Sequence, residues 1–308
     1  MRGIISRKRE PKRKGNPAGI SVKSILKWLK RIGLTLVALV VVAGAILYFG
    51  SEHVLNRRYP IPLSAFTVPT DAGAIERGRH LASIYGCDNC HAAHFEGTQM
   101  GAPFMGHINA PNLTRMVREF SDTDLEHVIR HGVKPDGTSV MLMPSNMFSH
   151  LSDADLGAIL AFIRSAPKVE GGLAPDVTLW PLGQWAIISG VFTPVAAQIE
   201  PDAARAAVFD RADPIAFGRY LALGSCTECH GPHLQGDPLG RPPTPNLVIV
   251  AAYDKPTFTK LMRTGVALGG RQLTLMREAA LGRFTNYTDD EIDALYAFLR
   301  DRAAHSTN

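Results

Sequence analysis

A chain of 308 residues is long enough for about two domains of ordinary size. Its formal charge of +5 is unevenly distributed, because residues 1–31 hold eleven Lys or Arg side chains and one acidic residue, Glu10. The remaining residues hold 22 basic and 27 acidic side chains and are therefore mildly acidic. Since the basic charge belongs to a tail, the composition argues against a nucleic-acid-binding protein.

An uncharged, largely apolar segment follows this tail. Residues 32–50 form a run of 19 residues without a charged side chain, and a helix of that length spans roughly the 30 Å hydrocarbon layer of a membrane. Lys27, Lys30 and Arg31 lie immediately before the run, so the positive-inside rule places the tail in the cytoplasm. The sequence predicts a basic cytoplasmic tail at 1–31 and a transmembrane anchor at 32–50.

A cleaved signal peptide is the alternative interpretation of this segment. Ala43, Gly44 and Ala45 have the small-residue pattern of a cleavage site, but the run is longer than the ~7–15-residue core of a signal. We therefore expect the helix to remain as an anchor. Residues 51–70, which include three prolines, predict a spacer between the membrane and the first domain.

Residues 71–86 predict a helix that leads into a cysteine motif. Ile75, Leu81 and Ile84 are apolar at helical spacing, with charged residues between them. The motif is a Cys-x-x-Cys-His pentad, and a second pentad occurs further along the chain. The two pentads use all four cysteines: Cys87-Asp88-Asn89-Cys90-His91 and Cys226-Thr227-Glu228-Cys229-His230.

Cys-x-x-Cys-His is the attachment signature of c-type haem. Each thiol can form a thioether with a haem vinyl group, and the imidazole of the next residue then lies beneath the iron. The sequence thus predicts two haem c groups, with His91 and His230 as axial ligands of the irons. The covalent attachments would be made by the four thiols: Cys87, Cys90, Cys226 and Cys229. Because haem is joined to cysteine on the outer side of the bacterial membrane, we expect a single-pass inner-membrane protein with periplasmic domains.

Two other interpretations of the pentads remain. Four cysteines in two pairs could bind one tetrahedral zinc ion, but zinc ribbons separate their pairs by roughly 15–20 residues. Here 139 positions separate Cys87 from Cys226. A redox-active dithiol is the second alternative, and it requires no histidine after either motif. Both alternatives are less favoured than haem.

The pentads belong to an internal repeat. Two copies of one domain, at 71–168 and 210–304, account for further matches along the chain. An apolar linker at 169–209 joins the copies, and we expect it to pack as a strap between them, with a docking surface for a partner or lipid as the alternative. The matched segments are Gly78-Arg79-His80-Leu81-Ala82 with Gly218-Arg219-Tyr220-Leu221-Ala222, Pro111-Asn112-Leu113 with Pro245-Asn246-Leu247, and Ala161-Phe162-Ile163-Arg164 with Ala297-Phe298-Leu299-Arg300.

Capping residues mark the start of the last helix in each copy. Ser152 with Asp155, and Thr288 with Glu291, have the spacing of a capping box. Behind each cap, apolar residues recur at i, i+3, i+4 and i+7. The pattern predicts a helix packed on the core of each domain.

One methionine in each copy occupies the same position of the repeat. Aligned without a gap from Gly132 and Gly265, both predicted to end a helix, the copies place Met143 opposite Met276, eleven residues beyond each glycine. Methionine is most often core filler, but this coincidence predicts that both residues are the second axial ligands. Met141 aligns with Thr274, and Met147 has no reliable counterpart, so neither is favoured as a ligand.

The order of pentad, Pro-Asn-Leu segment, methionine and closing helix makes each copy resemble a class I cytochrome c domain. The resemblance implies a mainly α fold, in which a transmembrane helix precedes two class I cytochrome c-like helical domains. It also implies that the carbonyl oxygens of Pro111 and Pro245 orient the imidazoles of His91 and His230. The layout is similar to membrane-attached dihaem cytochromes. It is also similar to the cytochrome subunits of periplasmic alcohol and aldehyde dehydrogenases, which often carry three haems, whereas this chain has two pentads.

A sulfur ligand that fills the sixth position favours electron transfer over chemistry at the iron. We therefore expect no catalytic residues and a protein that carries single electrons from a periplasmic donor, for which a dehydrogenase subunit is one candidate. The acceptor would be a respiratory-chain component such as a terminal oxidase or a soluble cytochrome. The alternative is a dihaem cytochrome c peroxidase-like enzyme, one of whose irons would need an open or vacatable position.

Overall fold

The computed structural model describes residues 22–60, 64–199, 210–238 and 242–306. The chain divides into two compact units, residues 1–47 and 48–308. The second unit contains both pentads and is mainly helical, as the sequence predicts. Most of the predicted basic tail lies outside the described residues.

The amino-terminal helix α1 runs Val22–Leu55 and includes the whole predicted anchor. It is the one helix in the described ranges that is long and apolar enough to cross a membrane, judged by length and composition. It begins ten residues before the uncharged run and continues for five residues beyond it.

The second half of the predicted spacer is part of the first domain. Phe66 and Val68 are buried in the core. The backbone N–H of Val68 donates to the Asp122 carboxylate at 2.7 Å, and the Arg130 guanidinium lies 5.6 Å from the centre of the Phe66 ring. The prolines of this segment predict a spacer without contacts to the domain. The apolar residues Phe66 and Val68, which lie between two of these prolines, contact the core instead.

The first domain is a set of short helices with a small sheet. Helix α2 carries the chain into the first pentad, which forms α3, and α7 closes the domain. The Asp122–Glu126 helix continues as a π-helical turn at His127–His131. The elements are α2 (Ala72–Tyr85), α3 (Cys87–His91), β1 (Thr98–Ala102), β2 (Gly106–Ala110), α4 (Leu113–Glu119), α5 (Asp122–Glu126), α6 (Ser145–Phe148) and α7 (Asp153–Ser165).

The linker contributes a strand and a helix to the first domain. Strand β3 (Asp176–Leu179) pairs antiparallel with β2, giving the sheet order β1-β2-β3. Helix α8 (Pro181–Ile188) follows, and then a 3₁₀ turn at Val195–Gln198. The backbone N–H of Ala196 in this turn bonds to the hydroxyl of Ser139 at 2.9 Å. The exposed large apolar side chains of the linker are Trp180, Leu182, Trp185, Ile188 and Val191.

The second domain repeats the helical order of the first without its sheet in the described residues. Helix α9 leads into the second pentad, which forms α10, and α13 closes the domain. The elements are α9 (Pro214–Ser225), α10 (Thr227–His230), α11 (Lys255–Thr264), α12 (Thr274–Gly282) and α13 (Asp289–His305), with 3₁₀ turns at Leu247–Ala252, Leu268–Gly270 and Phe284–Asn286.

A glycine allows the first and last helices of each domain to cross at close range. A Cβ atom at Gly78 of α2 would lie 1.8 Å from the carbonyl oxygen of Ala158 in α7. A Cβ atom at Gly218 of α9 would lie 1.9 Å from that of Ala294 in α13. Only glycine permits this approach, which explains why both copies begin their matched segment with it.

The caps agree with the predicted helix boundaries, with one difference. Thr288 and Glu291 form a complete capping box at the start of α13. At α7 the Ser152 hydroxyl accepts from the Asp155 N–H, but the Asp155 carboxylate forms an ion pair with Arg77 instead of bonding back. Gly132 and Gly265 end their helices as predicted, and both are in the left-handed conformation, with φ of 66° and 69°.

Equivalent residues of the repeat join the two domains. Asp155 of the first domain accepts a hydrogen bond of 2.7 Å from the Tyr220 hydroxyl of the second. In the other direction, Nε2 of His80 lies 2.8 Å from the Glu291 carboxylate. Tyr220 and His80 match in the repeat, as do Asp155 and Glu291. The domains therefore meet through corresponding surfaces, and their buried apolar residues form one contiguous core.

Candidate functional site

Each pentad forms a single turn of helix that follows a longer one. Gly86 ends α2 with φ of 73° and so turns the chain into α3. All four cysteines lie within the described residues and none forms a disulfide. Burial raises the pKa of the Cys87 and Cys226 thiols to about 12. The first cysteine of each pentad is therefore a neutral thiol, half-buried against the core.

A proline carbonyl fixes the imidazole of each pentad. Nδ1 of His91 lies 2.8 Å from the carbonyl oxygen of Pro111, and Nδ1 of His230 lies 2.8 Å from that of Pro245. A carbonyl can only accept, so Nδ1 carries the proton and Nε2 keeps its lone pair. The structure thus contains both contacts that the resemblance implies.

The protonation state of these imidazoles suits metal binding. Burial lowers the pKa of His91, and the bond to the Pro111 carbonyl opposes this effect only in part. The same causes, in the same order, lower the pKa of His230. Both rings are therefore neutral at neutral pH, and neutral imidazole is the form that binds a metal.

A glycine in each copy lets the proline segment approach the pentad. The N–H groups of Gly97 and Gly236 donate to the carbonyl oxygens of His91 and His230, at 2.9 and 2.8 Å. Their φ angles are 93° and 84°, and a Cβ atom at either would lie within 3.0 Å of the adjoining proline segment. Only glycine combines this conformation with this contact.

A threonine in each copy was not found from the sequence. The Thr98 hydroxyl donates to the carbonyl oxygen of Cys90, and the Thr244 hydroxyl donates to that of Cys229 at 2.6 Å. Thr98 is eight residues beyond its cysteine, whereas Thr244 is fifteen beyond. The unequal loop lengths hide this match from an alignment, although both side chains support the same carbonyl.

The backbone supports the ungapped alignment that pairs the two methionines. Isolated bridges join Val133 with Ser139 and Val266 with Gln272, which are equivalent positions in that alignment. The N–H groups of Val140 and Leu273, also equivalent, donate to the carbonyl oxygens of the glycines that end the preceding helices. Both copies therefore turn in the same way before reaching their methionine.

The aligned methionines differ from the other two candidates in burial. Met143 and Met276 are partly buried and pack against the core, whereas Met141 and Met147 are buried. The two aligned residues lie in different local structure: Met143 is in a bend before α6, and Met276 is in the first turn of α12.

The donor set fits a covalently attached haem in both domains. Each domain offers two thiols, one neutral imidazole with a free Nε2, and a thioether sulfur that is not committed to the deep core. These are the attachment groups and axial ligands that c-type haem uses. Across the described ranges, no three His, Cys, Asp or Glu side chains cluster closely enough to hold a metal ion.

Family models match both halves of the second unit. The model described as cytochrome c oxidase, cbb3-type, subunit III matches residues 73–163. The model described as cytochrome c matches residues 215–303. Each match covers one pentad together with most of its closing helix.

Curated relatives match across the same region. The chain is 32% identical over 176 residues to the gluconate 2-dehydrogenase cytochrome c subunit of Pantoea cypripedii, covering 51% of this chain and 38% of that protein. It is 26% identical over 269 residues to the fructose dehydrogenase cytochrome subunit of Gluconobacter japonicus, covering 76% of this chain and 54% of that protein. It is 30% identical over 189 residues to the cytochrome c subunit of the quinone alcohol dehydrogenase of Gluconobacter oxydans (strain 621H). This match covers 55% of this chain and 37% of that protein.

The matched region spans between 37% and 54% of the length of these three relatives. All three are cytochrome subunits rather than catalytic subunits of their dehydrogenases. The chain therefore contains two cytochrome c domains and is homologous to the cytochrome subunits of dehydrogenases.

Proposed function

We propose that this protein is a membrane-anchored dihaem electron-transfer subunit, which carries single electrons from a periplasmic dehydrogenase to a respiratory acceptor. The observation that carries the proposal is the duplicated ligand geometry. In both domains a neutral imidazole follows two free thiols and is held by a proline carbonyl at 2.8 Å. An account based on only one pentad would not explain why both copies keep this arrangement.

The residues of each domain divide the work of holding the haem. His91 and His230 would bind the irons through Nε2, and Met143 and Met276 would each supply a second ligand to one iron. The four attachment residues are Cys87, Cys90, Cys226 and Cys229. Bound haem supplies the one-electron Fe(III)/Fe(II) couple.

Protein groups around each haem would tune the reduction potential of that couple. The carbonyl oxygens of Pro111 and Pro245 fix the rotation of the imidazoles and raise their basicity. The methionine sulfur is soft and neutral, so it favours the reduced iron. A methionine ligand at each iron would also limit access of small substrates, and none of the matched families or relatives above is a peroxidase. These points favour electron transfer over the peroxidase-like alternative.

Helix α1 supports a location at the membrane. Lys27, Lys30 and Arg31 precede its uncharged stretch, so we expect the amino end in the cytoplasm and both haem domains in the periplasm of the inner membrane. A dehydrogenase as electron donor is supported by the relatives, which are named as cytochrome subunits of dehydrogenases. The acceptor, a terminal oxidase or a soluble cytochrome, is part of the proposal.

Carbon monoxide binding to the reduced, purified protein tests the proposal against its alternative. Two haems with methionine ligands bind carbon monoxide slowly and incompletely, whereas an open iron binds it rapidly and stoichiometrically. We expect the first behaviour, together with co-purification of a dehydrogenase subunit from mildly solubilised membranes. Rapid binding at one haem per chain would instead favour the peroxidase-like enzyme.

A further inference from the structure

The two pentads approach each other across the domain interface, and Arg283 lies between them. A Cβ atom at Gly86, next to the first pentad, would lie 2.6 Å from Cδ of Arg283. A Cβ atom at Gly282 would lie 3.2 Å from the side-chain amide nitrogen of Asn89, inside the first pentad. The turn that follows α12 of the second domain therefore rests on the first haem-attachment segment.

Arg283 also forms an ion pair with the second pentad. Its Nη2 lies 2.7 Å from the Glu228 carboxylate, and only 14% of the Arg283 side chain is exposed. Its Nε is buried and has no hydrogen-bond acceptor among the described residues. The guanidinium is therefore held in place by one carboxylate while it faces both attachment segments.

The charges of this pair reach the cysteines of both domains. Cys87 directly follows Gly86, whose Cβ position lies 2.6 Å from Cδ of Arg283. Glu228, 2.7 Å from Nη2 of Arg283, stands between the two cysteines of the second pentad. A charge close to both pairs of thiols is close to both haem edges that would be joined to them.

We propose that Arg283 and Glu228 form a shared electrostatic element that sets the reduction potentials of both haems. The inference rests on the proposed function, because it requires haem at both pentads. An oxidised haem carries one more positive charge than a reduced one. A nearby guanidinium therefore favours the reduced state of both haems and a carboxylate the oxidised state. The effect of the Arg283 guanidinium is stronger than it would be in water because that side chain is largely buried.

The proposal predicts shifts of opposite sign from the two partners. In Arg283→Met, both midpoint potentials fall, because the guanidinium is lost and the Glu228 carboxylate remains. We expect about a tenfold change in the ratio of oxidised to reduced haem at a fixed ambient potential, which corresponds to ~59 mV for a one-electron couple. In Glu228→Gln, both potentials rise. The double variant lies between the two single variants.

Two further variants separate charge from packing. Arg283→Lys keeps the charge, so its potentials should stay closer to wild type than those of Arg283→Met. Arg300→Met is the charge-loss control, because Arg300 lies on α13 and donates to the Ala251 carbonyl oxygen rather than lying between the pentads. It should leave both potentials nearly unchanged.

The test is a potentiometric titration of the purified full-length holoprotein, with haem content measured for each variant. The proposal is overturned if Arg283→Met shifts only one potential, or if Glu228→Gln shifts the potentials in the same direction as Arg283→Met. The exposed position of Glu228 keeps the second variant informative even if the first loses haem. A wild-type protein with fewer than two haems would contradict the proposed function itself, whereas two haems with unmoved potentials contradict this inference alone.

Discussion

At the scale of single residues, backbone carbonyls and glycines in the left-handed conformation fix the orientation of the candidate histidine ligands. Pro111 accepts the bond from His91 at 2.8 Å only because Gly97, with φ of 93°, leaves room for the proline segment beside the pentad. The same relation holds for Gly236 and Pro245. A substitution that moves the proline carbonyl should therefore change the reduction potential of the iron without replacing either of its ligands.

Gly97→Ala should raise the reduction potential of the first haem. The added methyl group would lie 2.5 Å from the Ala110 carbonyl oxygen, so it displaces the Pro111 carbonyl and weakens the bond that makes the His91 imidazole more basic. A less basic imidazole stabilises Fe(III) less. The measurement is a redox titration of the full chain.

The control for this variant is Gly190→Ala. Gly190 has a similar φ of 74°, but no atom lies within 4 Å of the position that its added methyl group would take, so it reports backbone strain without a steric contact. Equal potentials for both variants would show that the glycine contact does not act on the ligand.

Met143→His should lower the potential of one haem strongly and leave the other nearly unmoved. Replacing sulfur with imidazole favours Fe(III), and Met143 belongs to the first domain alone. Met141→Leu, a substitution at a buried residue, is the control and should leave both potentials close to wild type. If Met143→His moved neither potential, Met143 would not be the axial ligand.

At the scale of secondary-structure elements, the main packing contact in each domain is the close crossing of its first and last helices. In each domain one glycine allows the contact, and the helix that crosses it begins at a predicted cap. These elements could be predicted from the sequence because caps, apolar periodicity and pentads are local signals. The repeat then supplied an independent copy of each.

Gly78→Val should destabilise the protein by about 3 kcal/mol, the upper part of the range for overpacking. Its branched side chain would meet the Ala158 carbonyl oxygen and the Cβ atom of Phe162, forcing α2 and α7 apart. Gly73→Ala is the matched control in the same helix, since its methyl group would meet only the Asp71 side chain at 3.2 Å. Thermal unfolding followed by circular dichroism should separate the two variants, and equal midpoints would contradict the crossing.

Non-local contacts account for what the sequence could not predict. Strand β3 lies beyond the closing helix α7 yet completes the sheet of the first domain. Its four residues alternate between polar and apolar, but so short a run does not identify its partner strand. Phe66 and Val68 lie in a proline-containing segment that resembles a spacer, so only the folded core reveals their role. No sequence pattern indicates the role of Arg283, because its neighbours Gly86 and Glu228 are both far from it along the chain.

At the scale of the whole molecule, equivalent contacts from the two domains hold the domains together. His80 and Glu291 correspond to Tyr220 and Asp155 in the repeat, but only the histidine pair can change charge near neutral pH. A hydrogen bond from the His80 ring to the Glu291 carboxylate raises the pKa of His80, against the opposing effect of burial. The charges that face His80 include those of Glu291 and Arg211.

The contribution of His80 to stability should therefore depend on pH. Because its folded-state pKa is raised, its stabilisation is fully present below the unfolded-state pKa of about 6.5 and is lost as pH rises through the folded-state pKa. The difference in unfolding free energy between wild type and His80→Gln should be largest at mildly acidic pH and shrink toward alkaline pH. A difference that is constant with pH would mean that His80 contributes only as a neutral hydrogen-bond partner.

The mass of the natively matured protein, measured after denaturation, tests the central claim most directly. Thioether bonds survive denaturation, so haem attached at Cys87, Cys90, Cys226 and Cys229 stays with the chain. We predict the mass of the polypeptide plus two haem groups. A mass no greater than that of the bare polypeptide would contradict the assignment of both pentads.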